Sequence, residues 1–120
     1  MEGLHILAEF RRCRGEERLL LEAAALERLC LDACRDAGLA VVGALFLPFG
    51  SAAAPAGATG AVILAESHLA VHTWPERNAV TLDLYVCNFS RDNRAAAEQT
   101  YTRLQTAFAP EDVTRRDVWR

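Results

Sequence analysis

The sequence predicts an α+β fold, a two-layer α/β sandwich with a largely antiparallel sheet and two helices on one face. Three observations carry that reading. Residues 16–37 and 93–108 repeat apolar side chains at three- and four-residue spacing, as amphipathic helices do. Six other runs have strand length, and the clearest of them alternate. The order is strand, helix, strands, helix, strand, which suits helices layered on one face of a sheet.

Residues 3–10 read as the first strand, and Arg11 to Gly15 as a connection. The helix over 16–37 carries Leu19, Ala23, Leu26, Cys30 and Ala33 or Cys34 on one stripe, and Asp36-Ala37-Gly38 supplies its stop. Residues 39–47 form an apolar strand-length run. Gly50 to Gly60 is rich in Ala, Gly and Pro, lacks periodicity, and reads as a mobile loop. Strands follow at 61–65 and 69–74 around a Glu66-Ser67-His68 turn, and Pro75 ends the second. Residues 79–87 set Val80, Leu82, Leu84 and Val86 on one side of a strand. Ser90-Arg91-Asp92-Asn93 leads into the helix over 93–108, with Ala96, Tyr101, Leu104 and Phe108 inward. A weak strand over Val113–Val118 ends the chain.

At 120 residues the chain reads as one domain, 1–120, able to bury a core but not to enclose a large cavity. The apolar fraction of 52% is slightly high, which fits apolar surface lost in a dimer. Thirteen basic and 16 acidic residues give a formal charge of −3, with no basic footprint for nucleic acid. The groups Arg11, Arg12, Arg14 and Arg115, Arg116, Arg120 read as solvated rims. No stretch is long and apolar enough for a membrane helix, and residues 1–10 lack the pattern of a signal peptide. Cys13, Cys30, Cys34 and Cys87 show no zinc spacing, and no metal site is expected. Reduced thiols point to a cytoplasmic protein.

The stretch Ala65–Glu76 gathers Glu66, Ser67, His68, His72 and Glu76 within an Ala- and Leu-rich chain. In extended backbone, Leu69, Val71 and Thr73 share a face with Ser67, while His68, Ala70, His72 and Trp74 share the other. Ser67 and His72 therefore do not face each other in a plain strand. Either Ser67 sits in a bend at the strand start, or the pairing is bulged. A serine in a strained turn, followed by a histidine able to take a proton near pH 7, suggests chemistry. On the residues alone, Ser67 also fits a turn serine and His72 a half-buried strand histidine.

The motifs Glu66-Ser67-His68-Leu69, His72-Thr73-Trp74-Pro75-Glu76 and Leu82-Asp83-Leu84-Tyr85-Val86-Cys87 resemble those of the self-cleaving, pyruvoyl-dependent S-adenosylmethionine decarboxylases of bacteria. Gly57-Ala58-Thr59-Gly60, His5-Ile6-Leu7-Ala8-Glu9-Phe10 and Phe46-x-x-Phe49 extend the resemblance over residues 3–90. The resemblance implies that the Ser67 hydroxyl attacks the Glu66 carbonyl and turns the peptide into an ester. Loss of the serine α-proton, taken by His72, would then cut the chain into 1–66 and 67–120. It would leave a covalent pyruvoyl cofactor made from Ser67. Thr59 would hydrogen-bond the tetrahedral intermediate, and Cys87 would return a proton to the substrate α-carbon. Phe49 would stack on adenine and Glu76 would bind the ribose hydroxyls. Decarboxylated S-adenosylmethionine, an aminopropyl donor for spermidine biosynthesis, would be the product. The implied assembly is a homodimer, an αββα sandwich with the Ser67 sites near its interface. Without the resemblance, Thr59 fits a Gly-rich turn, Cys87 a buried strand cysteine, Phe49 a core residue and Glu76 a solvated turn.

Several positions depart from the pattern. The stretch Phe46-Leu47-Pro48-Phe49 lacks a usual histidine, and the Gly50–Ala56 segment is lengthened. Arg77-Asn78-Ala79 replaces a Tyr-Gly-Tyr run, and Asn88 stands where glycine is usual. The processing residues are intact, so the departures bear on the substrate. A pyruvoyl-dependent arginine or ornithine decarboxylase is the nearest alternative, and a non-catalytic binding or regulatory subunit is the alternative outside the enzymes.

Overall fold

A computed structural model describes residues 2–120. The elements run β1 (Gly3–Cys13), α1 (Arg18–Leu21), α2 (Ala23–Asp36), β2 (Val41–Gly50), β3 (Pro55–Leu64), β4 (His68–Trp74), β5 (Ala79–Cys87), α3 (Arg94–Phe108) and β6 (Pro110–Trp119), with a 3-10 turn at Pro75–Arg77. The six strands form one sheet in the order β2-β3-β4-β5-β1-β6, and every neighbouring pair is antiparallel. The helices cover one face, α2 over β2 and β3, and α3 over β1 and β5. The α+β sandwich expected from the sequence is the architecture observed.

Strand alternation builds the core. Ile6 and Phe10 of β1, Leu69 and Val71 of β4, and Val80, Leu84 and Val86 of β5 are fully buried. They meet Leu26, Cys30 and Cys34 of α2 and Ala97, Leu104 and Phe108 of α3. The Phe10 ring lies 5.8 Å from Tyr101 and 6.2 Å from Phe108, centroid to centroid. Each such large apolar side chain contributes about 1.5–3 kcal/mol on burial. Burial also silences the helix thiols: loss of solvent pushes Cys34 up to about 12 and raises Cys30 as well.

Three expectations are corrected. The stretch Gly50–Gly60 is not a loop. β2 and β3 form a hairpin closed at Ser51–Ala54, where the Ser51 and Ala54 backbones exchange hydrogen bonds of 3.1 and 3.2 Å. Small residues hid the strand because they fit close packing rather than an apolar stripe. A Cβ on Gly60 would fall inside the Phe46 ring, so only glycine lets that ring lie across β3. Second, the helix over 16–37 breaks at Glu22, whose backbone is extended (φ −113°, ψ 120°). Third, Arg11–Cys13 continue β1, opposite Asp112 and Pro110 of β6, which starts earlier than alternation indicated.

The helix break has a polar partner. Thr73, buried on the helix side of β4, donates its hydroxyl to the Leu20 carbonyl at 2.8 Å and accepts from the Ala58 amide at 2.9 Å. One hydroxyl thus ties α1, β3 and β4 together. Thr73→Val keeps the shape and strands both backbone groups, so it lowers stability by about 1–3 kcal/mol in denaturant unfolding. An unchanged midpoint would contradict this account of the break.

Candidate functional site

The face of the sheet away from the helices carries most of the polar side chains of β4 and β5. β4 keeps the alternation expected of it, with Leu69, Val71 and Thr73 buried and His72 and Trp74 exposed. No bulge interrupts its pairing with β3 or β5. Of the two arrangements open to Ser67, the bend is the one observed. Ser67 ends the tight turn between β3 and β4, where the Leu64 amide donates to the Ser67 carbonyl at 3.0 Å. The Ser67 amide reaches the Leu64 carbonyl only at 3.5 Å, and the Ala65 amide anchors the turn to Ala40 at 2.9 Å. Ser67 is half-buried and Glu66 is exposed.

Two groups of residues lie at opposite ends of β4. The first surrounds the turn. His68 pairs with Tyr85 on β5, and continuing that register sets Ser67 beside Val86, next to Cys87. Cys87 is 5% exposed and pairs with Gly3 of β1. Gly3 has no Cβ to strike the Val86 carbonyl, so β1 can approach here. Tyr85 shares the face of Cys87, and its hydroxyl is pushed above the usual phenol range. Loss of solvent is the main cause, and the Cys87 thiol is the next. A cavity of about 300 Å³ opens beside the turn, lined by Leu39, Ala40, Glu66, Ser67, Ser90 and Arg91.

The second group holds Thr59 and His72, which pair across β3 and β4, with the Thr59 hydroxyl 2.6 Å from His72 Nδ1. Trp74 follows, its indole N–H donating to the Thr81 hydroxyl at 3.3 Å. Glu76 is exposed on the 3-10 turn after β4. Phe49, the penultimate residue of β2, is half-exposed and lines a groove of about 780 Å³ with Leu21, Glu22, Phe46 and Pro55. The structure therefore pairs Thr59 with His72 and leaves Ser67, in the turn before β4, at the same end of the sheet as Cys87, but does not bring these two groups together within one chain. Five residues of strand, at roughly 3.3 Å each, set Ser67 about 16 Å from His72.

Between the two groups lies a cluster without an assigned role in the sequence reading. His5 Nε2 contacts Asp83 Oδ1 directly, and His68 Nε2 lies 3.4 Å from the same oxygen. The three ligating atoms fall within 4.8 Å of one another, the geometry of a potential metal-ligand group. The signal was present in alternation: Thr81, Asp83, Tyr85 and Cys87 are all polar or ionisable and all leave the apolar side of β5. Asn88, one of the departures, has a structural task. Its side-chain oxygen accepts from the Asn93 amide at 2.9 Å, while the Asn93 side chain donates to the Cys87 carbonyl at 2.9 Å. Together they fix the exit from β5 beside Cys87.

The family model described as S-adenosylmethionine decarboxylase matches residues 4–120. A protein of Thermococcus onnurineus named S-adenosylmethionine decarboxylase proenzyme is 31% identical over 107 residues, covering 89% of this chain and 72% of that protein. One of Syntrophomonas wolfei with the same name is 38% identical over 85 residues, covering 71% of this chain and 63% of that protein. Among solved structures, the adenosylmethionine decarboxylase from Aquifex aeolicus superposes with a TM-score of 0.83 at 27% identity, covering 98% of this chain and 88% of that one.

Proposed function

The chain belongs to the S-adenosylmethionine decarboxylase family, and on that premise we propose that it cuts itself between Glu66 and Ser67 and then decarboxylates S-adenosylmethionine. The observation that carries this reading is the turn. Ser67 Oγ attacks the Glu66 carbonyl carbon, the C–N bond breaks, and an ester forms. Removal of the Ser67 α-proton expels the Glu66 carboxylate and leaves a dehydroalanine. Addition of water and loss of ammonia convert that residue to a pyruvoyl group.

The turn fits such a group. Conversion removes the Ser67 nitrogen, whose hydrogen bond is the long one at 3.5 Å, and keeps the Ser67 carbonyl, whose bond from the Leu64 amide is 3.0 Å. The group would supply a carbonyl that binds the substrate amine and draws electrons as carbon dioxide leaves. The Leu64 amide would orient it, and Cys87 would deliver a proton to the substrate α-carbon.

His72 would remove the Ser67 α-proton, with Thr59 Oγ1 holding its Nδ1. A base must come within about 3 Å of its proton, directly or through one water, and 16 Å along one strand is too far. A second copy solves this. The open face exposes Leu45 and Leu47 of β2, Ile63 of β3 and Trp74 of β4, with Val118 at the far edge on β6, and a second copy packed there would cover them. Two such faces would pack about 10 Å apart. A twofold axis lying between them and across the strands sets the Ser67 end of one protomer over the Thr59–His72 end of the other. Each of two sites then takes Ser67 and Cys87 from one chain and Thr59 and His72 from its partner. Phe49 and Glu76 belong by position with the Thr59–His72 end. They would hold the adenine face and the ribose hydroxyls. The four free cysteines agree with a reducing compartment, the cytoplasm.

Intact mass of purified protein should show residues 1–66 and a pyruvoyl-blocked 67–120, with Ser67→Ala left whole. A single full-length mass for the unaltered chain would remove the cofactor and the activity with it. His72→Ala should stall as an ester that hydroxylamine cuts, whereas Cys87→Ala should still be cleaved and lose most carbon dioxide release. Full turnover by Cys87→Ala would place the proton donor elsewhere. Glu76→Gln should spare cleavage and raise KM for S-adenosylmethionine about tenfold or more, the order of one charged hydrogen bond. Unchanged kinetics, with faster release from arginine or ornithine, would favour an amino-acid decarboxylase.

A further inference from the structure

We propose that Asp83, braced by His5, is a positioning residue that holds the cut end of the chain at Ser67 after cleavage. This inference rests on the self-cleavage reading above and extends it to a problem that cleavage creates. Before the cut, Ser67 is held covalently from both sides. After it, residue 67 is a chain terminus, yet it carries the reacting group and must not swing. Strand ends fray when nothing ties them down.

The ties available to that terminus can be counted among the described residues. The Ser67 carbonyl keeps the Leu64 amide at 3.0 Å, and the weak bond from the Ser67 nitrogen is lost with the nitrogen itself. The next residue is His68, the first of β4, opposite Ile63 on one side and Tyr85 on the other. Its backbone begins the ladder, and its side chain is the first after the terminus that can be gripped.

Asp83 supplies that grip from the neighbouring strand, its Oδ1 lying 3.4 Å from His68 Nε2. With Nε2–H on both rings, His5 donates to the same oxygen from the far side and keeps the carboxylate turned toward His68. The His5 and His68 rings meet edge to face at 6.3 Å. Tyr85 packs on both, at 5.6 and 6.0 Å. The Arg120 guanidinium covers the Tyr85 ring from above at 4.6 Å. Three strands, β1, β5 and β4, thus converge on the residue beside the cut. The same three side chains could be taken for a metal site. The brace rests on the direct His5–Asp83 contact and the approach of His68 to the same oxygen.

The test compares cut and uncut chains. Asp83→Ala is made in the natural sequence and again with Ser67→Ala, which blocks cleavage. Cleavage of the single variant is followed by intact mass, turnover by carbon dioxide release, and exchange of the backbone amides of residues 69–71 by hydrogen–deuterium mass spectrometry. The expected result is continued cleavage, with kcat of the cleaved enzyme down by about 10- to 100-fold, the cost of misplacing a reacting group by around an ångström, and KM changed less. Amide exchange at 69–71 should speed up in the cut chain and stay unchanged in the uncut one. His5→Phe, which keeps the ring packing on Tyr85, should shift both readouts in the same direction and serves if Asp83→Ala does not fold. Equal exchange in cut and uncut variants, or unaltered kcat, overturns the proposal while leaving self-cleavage standing. Failure of the unaltered chain to cleave overturns both.

Discussion

The strand from His68 to Trp74 can be buried in only one register, and most of what the molecule does follows from that. Leu69, Val71 and Thr73 belong under the helices, where two are fully buried and the third spends its hydroxyl on Leu20 and Ala58. A slip of one residue would turn His68, Ala70, His72 and Trp74 into the core. Fixing the apolar parity therefore fixes the polar one. It also fixes the spacing, because an extended chain cannot shorten the distance between Ser67 and His72. The Thr73 hydroxyl stands between these roles. It closes a helix break on one side of the sheet and holds β3 against β4 where Thr59 meets His72 on the other.

Much of this was legible in the sequence, for reasons that differ by element. The parity of β4 and β5 was readable because large apolar residues alternate with polar ones, and α3 because Ala96, Tyr101, Leu104 and Phe108 mark one stripe. The turn-side half of the β2–β3 hairpin was not readable, although strands at 39–47 and 61–65 were. Its strand from Pro55 to Gly60 uses Ala, Gly and Thr to admit Phe46, and small residues carry no periodic signal. The break at Glu22 was hidden for another reason. No glycine or proline marks it, and its stabilising partner, Thr73, lies far along the chain.

The site divides in the same way. Ser67, His72, Thr59 and Cys87 could be picked out by type and motif, yet their grouping is a matter of pairing. Thr59 goes with His72 through β3–β4, while the β4–β5 register ends at His68 and Tyr85 and leaves Ser67 and Cys87 just beyond it at one end of the sheet. If Ser67 and His72 act on one peptide bond, two half-sites at opposite ends of an uncovered face call for a second copy, as proposed above. Asn88 shows how a departure from a motif can be absorbed, since it joins Asn93 in holding the residue beside the Cys87 thiol.

The division of labour between two chains is tested most directly by subunit complementation. A Ser67→Ala chain keeps Thr59 and His72 but lacks the nucleophile, whereas a His72→Ala chain keeps the nucleophile but lacks the base. Each should remain uncleaved when produced alone. Produced together with distinguishable tags, they form mixed dimers in which the intact His72 of one chain faces the intact Ser67 of the other. Cleavage of the His72→Ala chain between Glu66 and Ser67, appearing only on co-production, is the result expected of shared sites. A His72→Ala chain that stays whole in verified mixed dimers would mean that His72 serves its own chain, and the two-chain site would be wrong.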